Sequence, residues 1–179
     1  MTEAEWLVCS DPLEMFNADV FKGSFRKVGL FSVAGSHLAW DQLDDAWRAR
    51  VDQLERRAES EPVWMWEDER GTLSLADPTV LALHYVLDSL LECHHQADVI
   101  RDIFGNPFQP ITWHPSWRTS TVVTIAKTMY DSRDFSPMPL LADALQDAGC
   151  ENEDILNHCR SGGPHVRGCW VVDLVLGKE

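Results

Sequence analysis

The sequence predicts an all-α fold: a single domain, residues 1–179, built as an orthogonal bundle of six to eight helices. Three observations carry this. Apolar residues recur at spacings of three and four along most of the chain, the period of one helical face. Asp11-Pro12, Asp77-Pro78 and Ser136-Pro137 each place a capping side chain before a proline whose fixed φ suits a first helical turn. Gly105, Gly149 and Gly177 stand where those periodic runs stop, the usual place for a helix-ending residue.

In chain order, Asp11-Pro12 opens a short helix through Met15 and Phe16. A second covers Phe25 to Leu38, weakened by Gly29 and Gly35, which lack a helix-favouring side chain. The third spans about Asp41 to Ala58, with Leu43, Trp47, Val51 and Leu54 inward and an outer face of Asp, Glu and Arg. Residues 60–75 read equally as loop or as one small β-hairpin, Val63–Trp66 and Thr72–Leu75 flanking Gly71. If extended, Trp64 and Trp66 share a face. Asp77-Pro78 starts the longest helix, whose stripe Val86, Leu90, Cys93, Ala97, Ile100 and Phe104 ends at Gly105. The other helices pack around it. Residues 105–117 hold three prolines and form a loop pinned by Phe108, Trp113 and Trp117. Helices follow over Thr119–Tyr130, from Ser136-Pro137 to Gly149, over Glu151–His158 with acids in the first turn, and over Pro164–Leu176, where β-branched residues also allow a strand but the Pro start and Gly end favour helix.

The 179 residues are 45% apolar and 25% charged, so the chain can bury a core, to which its eight Trp contribute large apolar area. Net charge is −14, spread evenly: through Arg70 there are 8 basic and 15 acidic residues, after it 7 and 14, so each part carries −7. Distributed negative charge disfavours nucleic-acid and anionic-membrane partners and leaves another protein as the expected partner. Met1 is followed by Thr-Glu-Ala-Glu and not by a basic, then apolar, leader. Five irregularly spaced Cys suit reduced thiols. The expected location is cytoplasmic.

Residues 158–170 concentrate the chemistry: two His, two Cys, two Arg and three Gly in thirteen positions, with no carboxylate. As a metal set, His158, Cys159, His165 and Cys169 offer N and S donors for a tetrahedral zinc ion. In a helix from Pro164, His165 and Cys169 share one face, and Cys150 lies one helix earlier. The competing reading makes Cys159 and Cys169 small core hydrophobes. As an anion site, Gly162-Gly163-Pro164 leads into a helix start flanked by Arg160, His165 and Arg167. Its competitor has both arginines pairing with this protein's own acids. As a catalytic pair, Cys169 is the nucleophile and His165 its base, with no third residue evident. Cys93-His94-His95 reads as one core and two surface or boundary residues.

The opening Met1-Thr2-Glu3-Ala4-Glu5-Trp6-Leu7 resembles an uncharacterised family of paralogous proteins abundant in planctomycete bacteria. So do Arg101–Phe108, Leu141–Leu145 with Ala148-Gly149-Cys150, and above all the ending Gly163-Pro164-His165-Val166-Arg167-Gly168-Cys169-Trp170-Val171-Val172-Asp173-Leu174. The chain departs at Phe31–Leu38, where Ser32-Val33-Ala34-Gly35-Ser36-His37 stands in place of a Cys-rich, Arg-containing helix. The resemblance implies a bacterial, cytosolic protein and no particular chemistry. With no catalytic motif of any specificity, the first expectation is a non-catalytic interaction or adaptor domain. A metal- or anion-binding domain centred on 158–170 comes second and a Cys/His enzyme third.

Overall fold

The structure, a computed structural model, describes residues 1–16, 25–38, 40–60, 65–67, 73–75 and 93–178. It is all-α. The helices are α1 (Glu3–Val8), α2 (Pro12–Phe16), α3 (Phe25–Leu38), α4 (Asp45–Ser60), α5 (Cys93–Phe104), α6 (Ser120–Ser132), α7 (Met138–Asp147), α8 (Glu153–Arg160) and α9 (Trp170–Leu176). Two 3-10 turns, Trp40–Gln42 and Pro115–Trp117, add to them. Short strands β1 (Met65–Glu67) and β2 (Leu73–Leu75) pair antiparallel, with Trp66 opposite Ser74. The predicted opening of the long helix at Asp77-Pro78, its turns before Cys93, and Trp64 lie outside the described residues.

Local sequence explains most boundaries. Asp11 Oδ1 accepts from the backbone N–H of Leu13, at 2.9 Å, and of Glu14, which is the cap that starts α2. Asn152 Oδ1 caps α8 through Ile155 N at 3.0 Å, with Glu153 and Asp154 in the first turn. Gly105 and Gly177 stop α5 and α9 at φ +71° and +69°, a conformation glycine adopts without strain. Helix α1 was not among the expected elements. Its signal was present as a capping box: Thr2 Oγ1 accepts from Glu5 N while Glu5 Oε2 accepts from Thr2 N at 2.6 Å.

The core forms in three connected parts. One joins α6, α7, α8 and α9 through Val122, Met129, Leu141, Leu145, Ile155 and Val172. A second gathers Trp6, Met15, Phe31, Ile100, Ile103 and Val166. The third joins α3 to α4 through Leu30, Val33 and Val51. The non-helical segment 161–169 runs between the first two parts: Val166 packs in the second and Cys169 in the first. Helix α9 is also pinned to α3 by charge. Asp173, buried, receives Arg26 Nη1 at 2.7 Å and Nη2 at 3.1 Å, a bidentate pair. Among the described residues, no helix is long and apolar enough to cross a membrane.

One expected helix is corrected. Pro164–Leu176 does not form a single helix; α9 begins only at Trp170. Gly168 sits at φ +92°, outside the helical region, and Cys169 takes φ −46°, ψ 123° as the residue before the helix. The N–H of Val166 is committed to Asp102 Oδ2 at 2.9 Å, and Cys169 N closes a tight turn on Val166 O at 3.0 Å. Two long-range demands, the Asp102 contact and the close approach of Gly168 to Leu30, override a proline start that favoured helix.

Candidate metal centre

The turn over 165–169 brings together side chains that a helix would have held apart from their partners. Asp102, His158, His165 and Cys169 each present a donor atom, and the four atoms lie within 4.8 Å of one another. Each comes from a different piece of the fold. Asp102 is in the last turn of α5 and His158 is in the last turn of α8. His165 lies on the intervening segment, and Cys169 stands immediately before α9.

His158 Nε2 is 3.1 Å from Asp102 Oδ1 and 3.2 Å from Cys169 Sγ. His165 Nδ1 is 2.7 Å from the same Asp102 oxygen. The other carboxylate oxygen is held by Val166 N–H, which fixes the orientation of the group and turns Oδ1 towards both imidazoles. The two rings meet edge to face, with centroids 5.0 Å apart, and Trp170 packs against His158 at the same centroid distance. All three side chains are largely enclosed: Asp102 is 3% exposed, His165 7% and His158 17%.

The charges follow from this enclosure. Burial pushes the Asp102 carboxyl up, but contacts with His158 and His165 outweigh it, and the net direction is down. Cys169 moves the other way: burial and the neighbouring Asp102 charge hold its thiol well above the usual range, opposed weakly by the backbone N–H groups of Val172 and Val171. Without an ion the thiol is protonated and inert.

Of the residues expected to bind metal, His158, His165 and Cys169 converge and Cys159 does not. Cys159 is fully buried in the core formed by α6 to α9, and burial raises its pKa to about 12. Cys150 is likewise a core residue. Asp102 takes the fourth place. It was missed because it lies 63 residues from His165; its only signal was its position in the Arg101–Phe108 stretch that carried the resemblance. The helical-face argument for His165 with Cys169 fails, since no helix spans them; the turn at Gly168 brings them together instead.

The three expected anion residues do not come together: His165 and Arg167 border one cavity, and Arg160 lies apart from it. Arg160 Nη2 reaches outward to Asp143 Oδ1 at 3.1 Å and Gln146 Oε1 at 2.8 Å. Arg167 turns the other way, to Tyr130 O at 2.7 Å and Glu55 Oε2 at 3.3 Å, with its guanidinium over the Tyr130 ring. His165 faces Asp102. The expected helix start at Pro164 is absent, so its free N–H groups are too. His95 is exposed.

A Cys-His-Asp relay needs the two ring nitrogens of His to serve different partners. Here one nitrogen, Nε2 of His158, faces both the thiol and the carboxylate, and one N–H cannot align with both. The expected pair of Cys169 with His165 does not form either: Cys169 Sγ meets His158 Nε2 at 3.2 Å, while His165 Nδ1 is on Asp102 at 2.7 Å. No family model, no curated protein and no solved structure matches the chain, so its chemistry is read from its own geometry.

Proposed function

We propose that this chain is a non-catalytic binding module whose C-terminal third is held by one zinc ion on Asp102 Oδ1, His158 Nε2, His165 Nδ1 and Cys169 Sγ. The observation that carries the reading is the double approach of His158 Nε2 to an oxygen and a sulfur at 3.1 and 3.2 Å, with a second imidazole on the same oxygen. Donors at zinc bond lengths in a tetrahedron stand roughly 3.3–3.8 Å apart, so the contacts at 2.7–3.2 Å open and the wider pairs, up to 4.8 Å, close to complete the shell. Two imidazoles, one thiolate and one carboxylate form a set of mixed softness that suits zinc better than magnesium or calcium. Four protein donors close the tetrahedron and leave no open position for substrate, which makes the ion structural.

The ion would clamp α5, α8 and α9 where two parts of the core meet. The described cysteines, Cys9, Cys150, Cys159 and Cys169, are free, in keeping with a reducing cytoplasmic setting. The partner of such a module is taken to be another protein, and exposed Leu7, Val8 and Leu13 on α1 and α2 offer it an apolar face.

Native mass spectrometry of the full chain, expressed with zinc supplied, tests the metal. The expected mass includes one zinc per chain, and a chelator removes it while lowering the melting temperature. A chain that stays metal-free on zinc titration, with an unchanged melting temperature, rules the reading out.

A further inference from the structure

Behind His165, on the side away from Asp102, lies a separate cavity of about 120 Å³ between α3, α4 and the segment 165–167. Three buried polar atoms without a hydrogen-bond partner belong to residues on its wall: Glu55 Oε1, His37 Nε2 and His165 Nε2. Buried polar groups in folded proteins are nearly always satisfied; Glu55 Oε1 and His37 Nε2 face each other at 3.4 Å without an aligned hydrogen bond, and with His165 Nε2 they leave this cavity room for a polar occupant. Its volume exceeds what one water needs.

The wall chemistry defines the occupant. Arg133 and Arg167 both line the cavity. Arg133 spends Nε and Nη2 on Glu55 and Asp52, which leaves its Nη1 hydrogens uncommitted. Beside the apolar Leu30, Val33, Ala34, Phe135 and Val166, the two guanidinium groups supply positive charge, which suits an oxoanion. Glu55 is the exception. Its side chain is 1% exposed, its Oε2 is taken by both arginines, and Oε1 has His37 Nε2 at 3.4 Å without an aligned hydrogen bond. An ionised carboxylate oxygen can only accept. Beside a bound anion it is tolerated when that anion has an O–H to give it.

We propose that this cavity binds a small protonated oxoanion, hydrogen phosphate being the probe, with Arg133 and Arg167 facing its charged oxygens and Glu55 Oε1 accepting its O–H. His37 and His165 supply the remaining contacts. The proposal goes beyond the metal centre and rests on it for one contact only: with zinc on Nδ1, His165 Nε2 carries the proton and donates into the cavity, whereas the roles of Arg133, Arg167 and Glu55 do not involve the ion.

Sulfate has nearly the same size and shape as phosphate but carries no proton near neutral pH, so the pair isolates the role of Glu55. Isothermal titration of the full chain with sodium phosphate and, separately, sodium sulfate at matched ionic strength is the test. One site for phosphate is expected, with sulfate weaker by roughly tenfold or more, since a buried acceptor facing an anion without a proton is left unpaired. Glu55→Gln, which supplies an N–H donor, should weaken phosphate and strengthen sulfate. If that variant does not fold, the comparison of the two anions on the unchanged chain decides alone. No saturable phosphate binding, or equal affinity for both anions, overturns the proposal and leaves ordered water as the occupant.

Discussion

His158 Nε2 stands 3.2 Å from Cys169 Sγ, eleven positions away in sequence, and the two groups lie at the border between two parts of the core. The enclosing fold therefore holds a thiol and an imidazole in contact with little solvent. Cys169→Ser keeps the shape and removes the soft donor, and His158→Ala removes the central one. Each should lose the bound zinc in native mass spectrometry. Free zinc at one-hundred-fold above its dissociation constant adds about 2.7 kcal/mol. For a chain of this length, that is a melting shift of roughly 5–10 °C, which both variants should forfeit. Retention of one zinc by Cys169→Ser would remove the thiol from the ligand set.

Cys159 provides the converse case. It packs in the core beside Ile155 and Val172 and is not one of the four converging donors. Cys159→Ala should keep one zinc per chain while lowering stability by about 1 kcal/mol, the size of a modest core truncation. Zinc analysis of the purified variant checks it; a metal-free Cys159→Ala would reinstate the ligand set first expected from the sequence.

Gly168 is the residue on which the turn depends. At φ +92° a side chain is strained, and a Cβ there would meet Leu30 Cδ1 at 3.0 Å and Leu30 Cβ at 3.3 Å. Gly168→Ala should destabilise by about 1–3 kcal/mol and weaken zinc, because Cys169 would move. Gly162→Ala meets nothing within 4 Å and serves as the neutral comparison. Paired denaturant titrations read the difference, and equal midpoints for the two variants would contradict it.

Glu55 ties stability to acid pH. Burial pushes its carboxyl up, but His37, Arg133 and Arg167 outweigh this and hold it at about 2, against 4.5 for an unperturbed Glu. A carboxyl whose pKa is lower in the folded state contributes stability that is full above the unfolded value and is lost as pH falls towards the folded one. The shift corresponds to about 3 kcal/mol. The stability gap between the native chain and Glu55→Gln should be widest near neutral pH and should narrow as pH drops below 4.5 towards 2. Urea titrations at several pH values measure it. A gap constant with pH would show that Glu55 is not ionised in the folded chain.

The contrast between α2 and α9 shows what local sequence can carry. Asp11-Pro12 and Pro164 look alike as helix starts. The first holds because its cap bonds, from Leu13 and Glu14 to Asp11, are made within three residues. The second fails because Val166 N–H is taken by Asp102, 64 residues away. Helix periodicity in α3 to α8, the glycine stops and the all-α class were legible because they depend on neighbours three or four residues apart, whereas Ser136 does not cap α7, which starts at Met138 behind Pro137 with no side-chain cap. So was the unusual density of donors over 158–170.

The membership of the site was not legible. Cys159 and Cys169 carry the same side chain, ten positions apart, and nothing local separates them. Cys159 falls on the inward face of α8, while Cys169 follows the left-handed turn at Gly168 and meets the two imidazoles. Asp102 reads in sequence as one more acid in an acidic chain. Packing of α5 against α9 and the 161–169 segment buries it and makes it the oxygen donor. Periodicity and capping were therefore set by the sequence over single turns. Which donors converge was decided by tertiary contacts, because a site drawn from four chain segments exists only after burial has brought those segments together.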